Sequence, residues 1–266
     1  TLVQGCGRAD CNHPGCVDRV RKGVCEWDGK FSVAVLGETL LVYGRRNTGA
    51  GTRAVQVAAA RDVRGPLGAF RAVDLLGLRG CDAACGSTYL GAVAANPADP
   101  ETVVGVFPFH AQTRRPRDHV CYVGLAVSCD GRHFGRPDVV ATTRCAPGGR
   151  SFDLPADGWV VEGRVAYFYV HRDVPMPNSV GSASFNPRLV RYAVSLEELA
   201  NFTRASRAEL PSCARAGGDP TATWPPPDAG ESTCACRVER ERFDAAEERA
   251  ARRVQRMLRF GELGGA

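Results

Sequence analysis

Lysine is almost missing from this chain: of 266 residues only Lys22 and Lys30 are lysines, although lysine and arginine together number 34. The basic charge is therefore nearly all arginine, and against 29 acidic residues it leaves a net charge of +5. An excess of Arg over Lys, with abundant Ala, Gly and Pro, matches the residue bias of GC-rich coding. A nucleic-acid surface would need basic clusters interleaved with aromatics, so no nucleic-acid partner is expected. Long apolar runs are missing too. No stretch approaches the ~18 apolar residues of a membrane-spanning helix, and residues 1–10 lack the basic and apolar regions of a secretion signal. Because the first residue is Thr1, the chain is read as a mature form or as part of a longer one with additional domains. Also absent are G-x-S-x-G, H-E-x-x-H, a Walker loop and a dinucleotide fingerprint, which leaves a serine hydrolase, a zincin or a nucleotide enzyme without support. No cofactor is expected.

Cysteine, by contrast, is plentiful. Twelve residues fall in groups: Cys6, Cys11, Cys16 and Cys25; Cys81 and Cys85; Cys121, Cys129 and Cys145; Cys213, Cys234 and Cys236. That usage points to an oxidising compartment, extracellular or in the lumen of the secretory pathway, where disulfides persist. An N-x-T sequon at Asn201-Phe202-Thr203 agrees. The competing reading is zinc held by Cys6, Cys11, His13 and Cys16, but the spacing matches none of the C-x2-C pairs of zinc motifs. Disulfides are favoured, with their pairing left open, and no metal site is expected.

Internal repeats organise the middle of the chain. Three windows, Gly37–Asn47, Pro100–His110 and Gly163–Asp173, stand 63 residues apart. Each opens on a turn residue and continues as a β-branched and aromatic run, the composition of a strand entered from a hairpin. A second series follows at Val55–Asp62, Val123–Asp130 and Leu189–Glu197, with aromatics Phe70, Phe134 and Phe202 beyond it. A further strand candidate precedes each first window, at Trp27–Leu36, Thr88–Asn96 and Ala156–Glu162. Each unit thus reads as four antiparallel strands, and the fold class as all-β, a β-propeller of about four to five blades. The expected divisions are a Cys-rich segment at 1–24, blades at 25–210, a Pro/Gly-rich linker at 211–235 and an amphipathic helix within 236–266. In that helix Phe243, Ala246, Ala250, Val254, Met257 and Leu258 form one apolar stripe.

The Asp-Gly pairs before inner strands, the aromatic run ending in Arg-Asn and the segment Ser128-Cys-Asp130-Gly-Arg-His-Phe134 together resemble the five-bladed propellers of glycoside hydrolase families 32, 43 and 68. The resemblance extends over roughly residues 25 to 205. It implies a carbohydrate or glycoconjugate partner bound or hydrolysed at an axial pocket, where paired carboxylates do acid–base work. It also implies that Asp28 is the base or nucleophile, and Asp157 a second acid that orients sugar hydroxyls. Asn96, Arg150 and Asp153 enter equivalent segments and are the candidate substrate-binding residues. An Asp-Gly pair is equally the sequence of a turn, and no Glu is assigned as general acid. The alternative is therefore a non-catalytic structural, protein-binding or sugar-binding module. Asp62, Asp130 and Glu197 are expected to cap turns, and His171-Arg172-Asp173 to form hydrogen bonds at a blade edge.

Overall fold

The computed structural model describes residues 31–47, 53–61, 64–68, 70–76, 87–88, 90–111, 120–143, 151–175 and 186–215. These residues are mostly β, in three sheets with one α-helix. The first sheet is a meander of β1 (Ser32–Leu36), β2 (Thr39–Asn47), β3 (Arg53–Ala60) and β4 (Arg71–Ala72). The second contains β5 (Asp74–Leu75), β6 (Ser87–Thr88), β7 (Ala92–Ala95), β8 (Val103–Ala111), β9 (Val120–Ser128), β10 (His133–Phe134) and β11 (Asp138–Thr143). Both β6 and β7 pair with β8, and both β10 and β11 with β9. The sheet is thus a four-stranded meander with interrupted first and last strands, to which β5 adds in parallel along β10. In the third sheet, β12 (Ser151–Pro155) and β13 (Val160–Glu162) share β14 (Val165–Pro175), which then pairs with β15 (Arg188–Ser195).

The 63-residue repeat therefore maps onto β2, β8 and β14, and the second series onto β3, β9 and β15. The expected closing strand fails in the third unit. Phe202 lies in the helix α1 (Leu196–Glu209), and the local chemistry explains why. Ser195 and Glu198 form a reciprocal capping box, Glu197 and Glu198 occupy the first turn and Arg207 the last. The segment LEELANFTRASRAE is rich in Leu, Glu, Ala and Arg and free of Gly and Pro. Leu199, Thr203 and Ser206 are its buried face, and Leu196 and Phe202 pack beside Leu199. Among the described residues no helix is long and apolar enough to cross a membrane. The Cys-rich segment, the zinc alternative, Asp62, most of the linker and the expected helix of residues 236–260 lie outside the described residues.

The central sheet is buried on both faces, which is why its strands read as continuous apolar runs rather than alternating ones. Along β8, Val103, Phe107 and Phe109 face a core shared with Leu41, Tyr43 and Val57 of the first sheet. Val104 and Val106 face a second core with Phe168, Val170 and Val194 of the third sheet and Leu199 of α1. Phe107 lies so close over Gly105 that an added Cβ would come within 2.3 Å of its ring.

The turn after β9 joins three parts of the fold. Ser128 Oγ donates to Asp130 Oδ1 at 3.0 Å and accepts from the Gly131 amide at 2.8 Å. Asp130 Oδ1 also accepts the amides of Arg132 and His133, and Oδ2 lies 2.6 Å from His133 Nδ1. The expected cap at Asp130 is thus present. Tyr43 Oη donates to the Gly131 carbonyl at 2.7 Å, and Arg132 Nε to the Ala72 carbonyl at 3.2 Å, which ties the first sheet to this turn. A disulfide joins Cys129 to Cys213 just beyond α1. Closing that 84-residue separation removes roughly 4–5 kcal/mol of unfolded-state chain entropy in the loop-closure picture.

Burial alone would raise the Asp130 carboxyl, but the hydrogen bond and charge of His133, with the His133 and Arg132 amides, outweigh it and hold it below the usual value. Its contribution to stability is therefore complete above about pH 4, the unfolded-state range, and is lost as pH falls through the depressed folded value. Asp130→Asn should cost ~2 kcal/mol at neutral pH and should flatten the acid limb of stability against pH, measured by urea unfolding at a series of pH values. Gly105→Ala should cost ~1–3 kcal/mol through displacement of Phe107, read as a lower urea midpoint at unchanged slope.

Candidate functional site

The first strands of the three units are β1, the β6–β7 pair and the β12–β13 pair. Buried Ser32 on β1 donates through Oγ to the Gly91 carbonyl at 3.2 Å and accepts the Val93 amide at 3.0 Å, which locks β1 beside β7. Strand β12 lies against β8.

Asp153 is the buried carboxylate of β12. It sits where the β12–β14 register shifts between Phe152 and Leu154, and the irregularity lets both oxygens reach β14. Oδ2 accepts from Arg172 Nε and Oδ1 from the Asp173 amide, each at 3.0 Å. Arg172 Nη1 donates to Tyr192 Oη on β15 at 3.2 Å. Asp173 holds a left-handed backbone, φ 57°, uncommon for a residue with a Cβ. Its own carboxylate accepts the Asn186 amide at 2.7 Å. Burial raises the Tyr192 phenol, and the opposing pull of Arg172 does not cancel it, so Tyr192 remains neutral. Its ring stacks on Phe168, with centroids 5.1 Å apart. The cluster is a buried carboxylate–guanidinium pair whose arginine is the more exposed partner.

The other candidates are placed differently. Asp157 is exposed between β12 and β13, next to Gly158 at φ +82°. Asn96 is buried after β7, and its amide nitrogen donates to Thr102 Oγ1 at 2.9 Å and Thr203 Oγ1 at 2.8 Å. Its oxygen accepts the Ala98 amide, so Asn96 binds the β7–β8 turn to α1 in a network separate from that of Asp153. Asp28 and Arg150 lie outside the described residues. Among the described residues no three His, Cys, Asp or Glu side chains converge as a metal site would require. A shallow groove of about 510 Å³ lies at the end of α1, lined by Arg207, Glu209, Leu210, Pro211 and Cys213, and none of the candidate residues borders it.

No protein-family model matches the chain, and no curated protein matches it. Solved structures do match. A Bombyx mori family 32 β-fructofuranosidase in complex with sucrose shares 10% identity over 62% of this chain and 32% of its own, with a TM-score of 0.39. The Podospora anserina α-L-arabinofuranosidase in complex with cellotriose shares 12% identity over 63% and 46%, with a TM-score of 0.37. A putative glycosidase from Bacteroides thetaiotaomicron shares 10% over 66% and 53%, with a TM-score of 0.43. These structural neighbours are glycoside hydrolases. The chain spans about a third to a half of the length of each of them.

Arg172 and Asp173 hydrogen-bond as their sequence suggests, but they do so from β14, which is paired on both sides, and not at a blade edge. Tyr192 carries no such signal, since it reads as one more aromatic in a strand and becomes a partner only because β15 pairs Tyr192 with Phe168. Arg172→Met would leave a buried carboxylate uncompensated. It should cost ~3 kcal/mol, and adding Asp153→Asn to the same chain should recover part of that loss, measured as a double-mutant cycle by chemical unfolding.

Proposed function

We propose that the chain is a carbohydrate-active, propeller-like unit of the extracellular space or secretory lumen that binds or hydrolyses glycosides where its first strands meet. The observation that carries this reading is the Ser32-mediated docking of β1 on β7 with β12 beside β8. In the sequence Asp28 stands four residues ahead of β1, Arg150 directly ahead of β12, and Asp153 and Asp157 in and after β12. Glycoside chemistry asks for such acids: one protonates the leaving oxygen, and another attacks the anomeric carbon or activates water from ~5–9.5 Å away. In this proposal Asp28 is the base or nucleophile, Asp157 orients sugar hydroxyls, and Asp153 with Arg172 forms the floor of the pocket. Arg150 completes the polar wall, whereas Asn96, held by Thr102, Thr203 and the Ala98 amide, is structural.

A second reading, a non-catalytic sugar- or protein-binding module, is favoured by the glutamates. Glu198 caps α1, Glu101 bonds Arg207, Glu209 ends α1 and Glu162 closes β13 at the hairpin to β14, so none of these is presented as a general acid. Exposed Phe31, Val33 and Val35 also line one side of β1, an apolar stripe suited to a protein neighbour. The test is turnover of aryl arabinosides, xylosides, fructosides and galactosides by the oxidised chain, with Asp28→Asn as control, beside a glycan array. Turnover that falls by about 10³-fold or more in the variant, the loss expected for a group acting in the transition state, supports a hydrolase. Glycan binding without turnover supports the second reading, and neither activity overturns both sugar readings.

A further inference from the structure

We propose that Asn201 is an N-glycosylation site, modified before α1 folds. The inference rests on the secretory reading of the compartment and not on sugar binding at the first strands. Asn201-Phe202-Thr203 is the only N-x-S/T triplet in the chain in which the middle residue is not proline. In the structure Asn201 is exposed on α1, whereas Phe202 packs toward the core and Thr203 is buried. Asn201 Oδ1 accepts from Arg204 at 3.1 Å, a bond that does not engage Nδ2, the nitrogen to be modified. A glycan there would extend from the solvent side of α1 without disturbing Leu199, Thr203 or Ser206.

The same geometry fixes the order of events. Two helical positions are turned by roughly 200° from each other, so Asn201 and Thr203 point to opposite sides once α1 forms. Thr203 Oγ1 then donates to the Leu199 carbonyl at 2.8 Å and accepts from Asn96. A transferase that must hold both side chains can do so only on the extended chain. In the transfer, Asn201 Nδ2 forms a bond to the anomeric carbon of a lipid-pyrophosphate-linked oligosaccharide. The bond from that carbon to the pyrophosphate oxygen breaks, and lipid pyrophosphate leaves with the amide proton lost from nitrogen.

The experiment expresses the 266-residue chain behind an appended secretion signal in eukaryotic cells, so that its native compartment is not assumed. The secreted protein is treated with peptide-N-glycosidase in heavy-oxygen water and mapped by mass spectrometry. The expected result is a mobility shift with label at position 201, abolished by Asn201→Gln at an unchanged unfolding midpoint and retained in Thr203→Ser. Purified oligosaccharyltransferase should modify the reduced, unfolded chain and leave the folded, oxidised chain untouched. A secreted, folded wild type without a shift, or a shift that survives Asn201→Gln, overturns the site. Efficient modification of the folded chain overturns the order.

Discussion

The buried Asp130 carboxylate is the constraint on which the rest of the structure depends. A charge removed from water is tolerated only when its lone pairs are met, and here Ser128, two backbone amides and His133 meet them. Satisfying Asp130 bends the chain after β9 so that the Gly131 carbonyl meets the Tyr43 hydroxyl and Arg132 reaches Ala72. Burial, and secondarily the Asp130 charge, push the Tyr43 phenol well above its ordinary value, so it stays a proton donor. The same bend sends β10 alongside β5 and places Cys129 opposite Cys213. First sheet, second sheet and helix are thus joined at one turn.

From that turn outward, packing follows from the doubly buried central sheet. Its alternating side chains feed two cores at once, so a change on β8 or β9 is felt in both neighbours. The third unit departs from the other two because its last element must cover the far face of the central sheet rather than extend its own. A helix with Leu199 and Phe202 on one side does this, and its Thr203 accepts the Asn96 amide across 107 residues. The element that closes the second core is therefore also the one that carries an exposed asparagine on its opposite side.

The candidate chemistry and the candidate modification lie on different elements for a physical reason. The candidate carboxylates belong to the first strands and the turns beside them, whereas α1 turns one face to solvent where a large substituent costs no packing. Asp153 serves the architecture. Its pairing with Arg172 and the Asp173 amide holds the third sheet's irregular first strand in place.

Local chemistry determined much of this protein. The β-branched runs, which recur at a 63-residue spacing, and the Asp130 turn each depend on neighbours within a few residues, and both were readable there. The helix was readable in principle from Ser195 and Glu198, but the repeat drew Phe202 into a strand, because one aromatic fits either element. Only the tertiary structure decided which faces were buried, that Asn96 would engage Thr203, that Asp153 would find Arg172 and Tyr192, and that Cys129 would join Cys213. Those partners stand 107, 19 and 84 residues apart for Asn96–Thr203, Asp153–Arg172 and Cys129–Cys213. Which distant groups meet depends on how the sheets stack, and that is set by the whole core and not by any local run of residues.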